Sequence, residues 1–111
     1  MRSYMIQELR PADMDKITAF LHEKGYKCPL DGIFWLPLPV DLWGAEQQKH
    51  REECAPFYLA LELGPDWIRL ELLVRSEQKL RCSCIMYADS SQRETMIDFV
   101  DDLIKNLDIA V

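Results

Sequence analysis

The sequence predicts a single α+β domain spanning residues 1–111: a two-layer sandwich with a β-meander and N- and C-terminal helices on one face. Three observations predict it. Three runs of alternating apolar residues follow one another across short turns, the signature of antiparallel neighbours. Segments of helical periodicity lie at both ends of the chain. One side of the meander is wholly apolar, and it supplies the surface that both helices need.

Residues 3–9, SYMIQEL, read as a short strand or as a helical turn with Met5 above Leu9. PADMDKITAFLHEKG, 11–25, reads as a helix. Pro11 suits its first turn, Asp13 and Asp15 sit near the positive end of its dipole, and Gly25 stops it. Met14, Ile17 and Leu21 form its apolar stripe, with Phe20 beside them. GIFWLPLPV, 32–40, reads as extended. Pro37 and Pro39 cannot donate to a ladder, so this is an edge strand or one that loses pairing halfway. DLWGAEQQKHREEC, 41–54, is polar after Trp43 and reads as a surface helix or a long excursion.

The meander then follows as FYLALEL, WIRLELLV and LRCSCIMY, joined by GPD and RSEQK. Phe57, Leu59, Leu61, Ile68, Leu70, Leu72, Val74, Leu80, Cys82, Cys84 and Met86 share the inner face. Tyr58, Glu62, Arg69, Leu73, Arg75 and Ile85 lie on the mixed outer face. The expected register sets Glu62 against Arg69, Phe57 against Val74, Tyr58 against Leu73, Leu73 against Arg81, Cys82 against Leu72 and Cys84 against Leu70. SSQRETMIDFVDDLIKNL, 90–107, is the strongest helix. Ser91 and Glu94 form a capping box, and Ile97, Val100, Ile104 and Leu107 form the stripe.

Hydrophobic residues make up 49% and charged residues 29%, which excludes a disordered chain. The net charge of -6 repels phosphate backbones and anionic lipid, so neither nucleic acid nor membrane is an expected partner. The N-terminus turns charged too early for a secretory signal, and no apolar run reaches membrane-spanning length; the expected compartment is cytoplasmic. Four cysteines in that compartment are expected as thiols or metal ligands.

Catalytic signatures are missing. Gly25, Gly32, Gly44 and Gly64 form no phosphate-cradling cluster, and there is no nucleophile elbow. His22 sits near a helix C-terminus, Asp98, Asp101 and Asp102 read as a solvated helix face with Asp101 paired to Lys105, and Cys28 reads as a loop thiol.

His50, Cys54, Cys82 and Cys84 together have the composition of a tetrahedral zinc shell. On a strand, Cys82 and Cys84 point to one side about 7 Å apart. His50 and Cys54 share a face if 41–54 is helical. Three features weigh against the site. A C-x-C pair on a straight strand lacks the turn that aims N–H groups at sulfur. Both cysteines fall in phase with the core. The expected register leaves Cys54 on the order of 10 Å away laterally. The pattern therefore favours Cys82 and Cys84 as small core side chains.

Aromatic and apolar residues supply the other signal. Trp35, Trp43, Tyr58, Trp67, Leu73 and Ile85 are candidate interface residues, since Trp and Tyr favour positions wet on one side and apolar on the other. The segment IQELRPADMDKITAFL resembles the opening strand and helix of N-acetyltransferases, but their acetyl-CoA loop has no counterpart and no residue carries over. ITAFLHEKGYKCPLDGIFWL, with its helix, Gly-aromatic turn and strand, is similar in profile to type III secretion chaperones, a resemblance that implies a binding module. The expected function is a non-catalytic binding or adaptor domain, without cofactor, acting on a protein partner or on itself as a homodimer. The alternative is a zinc-binding or thiol-redox protein using His50, Cys54, Cys82 and Cys84.

Overall fold

The structure, a computed structural model, describes residues 2–111. It is an α+β fold with four α-helices and a seven-stranded antiparallel sheet. The elements are β1 (Ser3–Ile6), α1 (Pro11–Glu23), β2 (Lys27–Leu30), β3 (Ile33–Pro37), a 3-10 turn (Val40–Leu42), α2 (Ala45–Lys49), α3 (Arg51–Cys54), β4 (Phe57–Leu63), β5 (Ile68–Glu71), β6 (Leu73–Ser76), β7 (Met86–Tyr87) and α4 (Ser90–Asn106). The main path of the sheet runs β1-β5-β4-β3-β2; β6 pairs with β4 and β7.

The SYMIQEL segment resolves as a strand. Its main-chain groups pair with β5, Ser3 opposite Glu71 and Ile6 opposite Ile68. Helix α1 runs as predicted and ends before Gly25, whose φ of +76° suits glycine. At its start, the buried Asp13 accepts the backbone N–H of Arg10 at 3.2 Å and its guanidinium at 3.0 and 3.1 Å.

Four expectations are corrected. The Pro-containing strand is not at the edge: β2 pairs outside it, with a bulge between Lys27 and Leu30. Pro37 is tolerated because it ends β3. Second, α4 is capped by Asp89 and Gln92 rather than Ser91 and Glu94. The Asp89 carboxylate accepts the Gln92 N–H at 2.8 Å while Gln92 Oε1 accepts the Asp89 N–H at 2.9 Å. The helix docks through Met96, Val100, Leu103 and Ile104, leaving Ile97 and Leu107 at the margin.

Third, the register slips by two residues between β5 and β6. Glu62 faces Arg69 as expected, but Phe57 faces Ser76 and Tyr58 faces Arg75. Leu72 is where the ribbon leaves the β4 ladder: its N–H donates to Arg2 O at 3.0 Å and its carbonyl accepts from Ala88 N at 2.9 Å. Fourth, the last meander strand is only Met86–Tyr87, with Leu73 opposite Tyr87. Residues 80–85 are not strand, so Cys82 and Cys84 do not face Leu72 and Leu70.

Inward side chains of α1, α4 and the sheet form one core cluster, compatible with the expected sandwich. Ile17, Leu21, Leu59, Leu61 and Leu70 reach zero exposure. Each such side chain stabilises the fold by about 1.5–3 kcal/mol. Among the described residues, no helix is long and apolar enough to cross a membrane.

Candidate metal centre

Two irregular segments build this site. The first is α2–α3. Gly44 opens α2, and the side chain of Gln47 caps it, Oε1 accepting the Gly44 N–H at 2.7 Å. The helix breaks at His50 (φ -104°, ψ 12°) and restarts at Arg51. Cys54 N–H still donates to His50 O at 2.9 Å, so His50 and Cys54 stay one turn apart on one face.

The second segment follows β6. Ser76, buried at the end of that strand, anchors the loop that follows with its hydroxyl. Its Oγ donates to Cys54 O at 2.5 Å and accepts the N–H groups of Gln78 at 3.0 Å and Lys79 at 3.1 Å. The chain then loops until Ile85 N–H donates to Cys82 O at 3.0 Å, closing a turn around Ser83 and Cys84. The C-x-C motif therefore lies in a turn. The Ser76 bond also brings Cys54 beside this loop. The turn and the approach of Cys54 remove two of the three objections; the remaining one, phase with the core, still holds for Cys84, which is buried in the core cluster.

The ligand atoms of His50, Cys54 and Cys82 all lie within 4.8 Å of one another. His50 Nδ1 is 3.5 Å from Cys82 Sγ. A tetrahedral ion with ordinary Zn–S and Zn–N bonds has an S···N edge of about 3.6 Å. The fully buried Cys84 stands next to this group without belonging to it: its thiol is not within 4.8 Å of all three ligand atoms.

The surroundings suit such a ligand set. His50 Nε2 faces Glu46 Oε2 at 3.5 Å and Ser83 Oγ at 3.3 Å, and Ser83 Oγ donates to the same Glu46 oxygen at 2.9 Å. A carboxylate on the Nε2 side favours the tautomer whose Nδ1 lone pair faces sulfur. Behind Cys84, its carbonyl accepts Gln47 Nε2 at 2.8 Å; Gln92 Nε2 contacts Gln47 Oε1 at 3.3 Å and donates to Leu42 O at 2.9 Å. The Cys84 N–H, then the Cys84 thiol, lowers the pKa of Cys82. Burial first, and then the neighbouring thiols, pushes Cys84 up to about 12. Thiolate is the metal-binding form, so an ion must displace the Cys84 proton.

Glu46, Gln47, Ser76, Ser83 and Gln92 were not singled out from the sequence as parts of this site. Glu46 stands four residues before His50, and Ser83 lies inside the C-x-C motif, so those two carried a local signal. The other three act across long sequence separations and carried none.

The aromatic candidates separate. Trp35 stacks on Tyr58 with ring centroids 4.2 Å apart and 15° between planes, on the outer sheet face. Trp43 belongs to the core wall: it packs edge-on to Phe57, and its Nε1 donates to Leu38 O at 3.1 Å. Trp67 lies over Gly64 at the hairpin turn, with the Arg69 guanidinium 5.3 Å from its ring. Leu73 is half-buried, and Ile85 packs against the core from the loop. His22 packs edge-on to Phe34. Asp101 accepts the Tyr4 hydroxyl at 2.5 Å rather than pairing with Lys105. Cys28 lies in β2, its thiol 3.2 Å from Leu30 O. No known protein family, curated protein or solved structure matches the chain.

Proposed function

We propose that this chain is a zinc-stabilised, non-catalytic binding domain whose ion is held by His50 Nδ1 and the thiolates of Cys54, Cys82 and Cys84. One observation carries the reading: ligand atoms from α2–α3 and from the loop after β6 converge within 4.8 Å, with the one explicit S···N separation, 3.5 Å, close to a tetrahedral edge. The Glu46 carboxylate 3.5 Å from His50 Nε2 supports it, because metal-bound imidazoles carry such partners. Three ligand atoms already converge, and with the neighbouring Cys84 thiol turned in as the fourth, no position is left for a reacting water and the role is structural. The ion pins the loop to the helix pair and leaves the outer sheet face free for recognition.

Titration of the reduced, chelator-treated protein with cobalt(II) tests this. The expected result is one equivalent, with thiolate-to-metal charge-transfer bands and tetrahedral d–d bands that zinc bleaches. Cys82→Ser should keep the fold and lower zinc affinity at least tenfold. Less than about a tenth of an equivalent of zinc or cobalt on folded, fully reduced protein refutes the assignment.

A further inference from the structure

The sheet face opposite the core holds a cleft of about 350 Å³. Its floor is Ala60, the one small side chain among long neighbours. In the register, Ala60 lies opposite Trp35 on β3, between Tyr58 and Glu62 along β4. The walls are the Trp35–Tyr58 stack and the side chains of Arg69, Glu71 and Arg75. Leu30 stands at the rim, on the outer strand β2, with 64% of its surface exposed. The same face therefore carries both a hole and a protruding apolar side chain.

Charge selects the occupant. The chain as a whole carries -6, so two copies repel one another over most of their surfaces. This face carries three ion pairs, Lys27–Glu77, Arg69–Glu62 and Arg75–Glu71, and they sum to zero. It is a place where a second copy meets no net repulsion. Arginine and carboxylate also alternate across it, so a two-fold rotation can set cations against anions, as an isologous contact requires.

We infer that two copies of this chain associate face to face through the outer sheet surface, Leu30 of each seating in the Ala60 cleft of the other. The five strands, four to seven residues long and about 4.8 Å apart, present on the order of 400 Å² in projection per copy. That is at the small end for a specific interface, so the association is weak and reversible.

Sedimentation velocity of the full-length, zinc-loaded protein from about 2 to 500 μM is the test, at moderate salt. The expected result is a monomer–dimer equilibrium with a micromolar Kd. Leu30→Asp, an exposed edge substitution, should weaken it at least tenfold, and Ala60→Arg, which fills the cleft, should do the same. Circular dichroism confirms that each variant is folded; if Ala60→Arg is not, Leu30→Asp alone decides. A monomer throughout the range overturns the inference, as does a dimer whose Kd is unchanged in folded Leu30→Asp.

Discussion

Gln47 is a polar side chain that the core cannot replace. It is 1% exposed, and its amide joins three elements: Oε1 accepts Gly44 N–H at 2.7 Å, Nε2 donates to Cys84 O at 2.8 Å, and Gln92 Nε2 approaches Oε1 at 3.3 Å. Gln47→Met keeps most of the volume and removes all three. Gln92 retains Leu42 O, but the Gly44 donor and the Cys84 acceptor lose these partners. Each orphaned group costs about 1–3 kcal/mol, so about 3 kcal/mol in total is a moderate expectation. Against a typical stability of about 5–15 kcal/mol this is a large loss. With a urea slope of about 1.5 kcal/mol/M, the midpoint falls by about 2 M. Equilibrium urea unfolding of both proteins in chelator measures this loss without metal. A midpoint shift below about 0.5 M, with unchanged slope, refutes the claim that this network holds the loop.

Zinc binding should release about two to three protons per ion at neutral pH, because thiols, with Cys84 the most strongly protonated, must give theirs up. Affinity therefore rises with pH and falls on acidification; calorimetry in buffers of different ionisation enthalpy counts the protons, and fewer than one contradicts a three-thiolate shell. Asp13→Asn should lower the melting temperature at pH 7. The Arg10 side chain first, and then its backbone N–H, hold the Asp13 carboxyl below its ordinary value of 3.8, while burial opposes them. A lowered pKa means this stabilisation is present above the ordinary carboxylate range and lost as pH falls through the lowered value. Melting curves should converge in acid, and a gap that stays constant down to pH of about 2.5 contradicts the assignment.

Both terminal helices were legible because their apolar stripes and stop signals are local. So was the β4–β5 hairpin, where Gly64–Asp66 forces the turn and Glu62 meets Arg69. Strand β2 was hidden because Pro29 and a bulge interrupt its alternation. The candidate metal centre was legible as a set of residues but not as a place. The alternation of Leu80, Cys82, Cys84 and Met86 imitates a strand, and each objection to zinc assumed one. What shapes the loop after β6 is the Ser76 hydroxyl, which takes two loop N–H groups and reaches back to Cys54. That bond spans 22 positions, and no window of local sequence contains it.

Cys54 stands just before β4, and Cys82 comes after β6. An ion shared by the two would make a covalent-like ring of roughly 28 residues enclosing β4, the central strand of the main path, with β5 and β6. Closing a ring of that size removes denatured-chain entropy worth on the order of 3–4 kcal/mol, by the relation used for cross-links. Such a clasp acts on strands far from the ion itself. Amide protons of β4 to β6 would then exchange slowly as one unit, and stripping the ion would loosen the middle of the sheet before its outer helices.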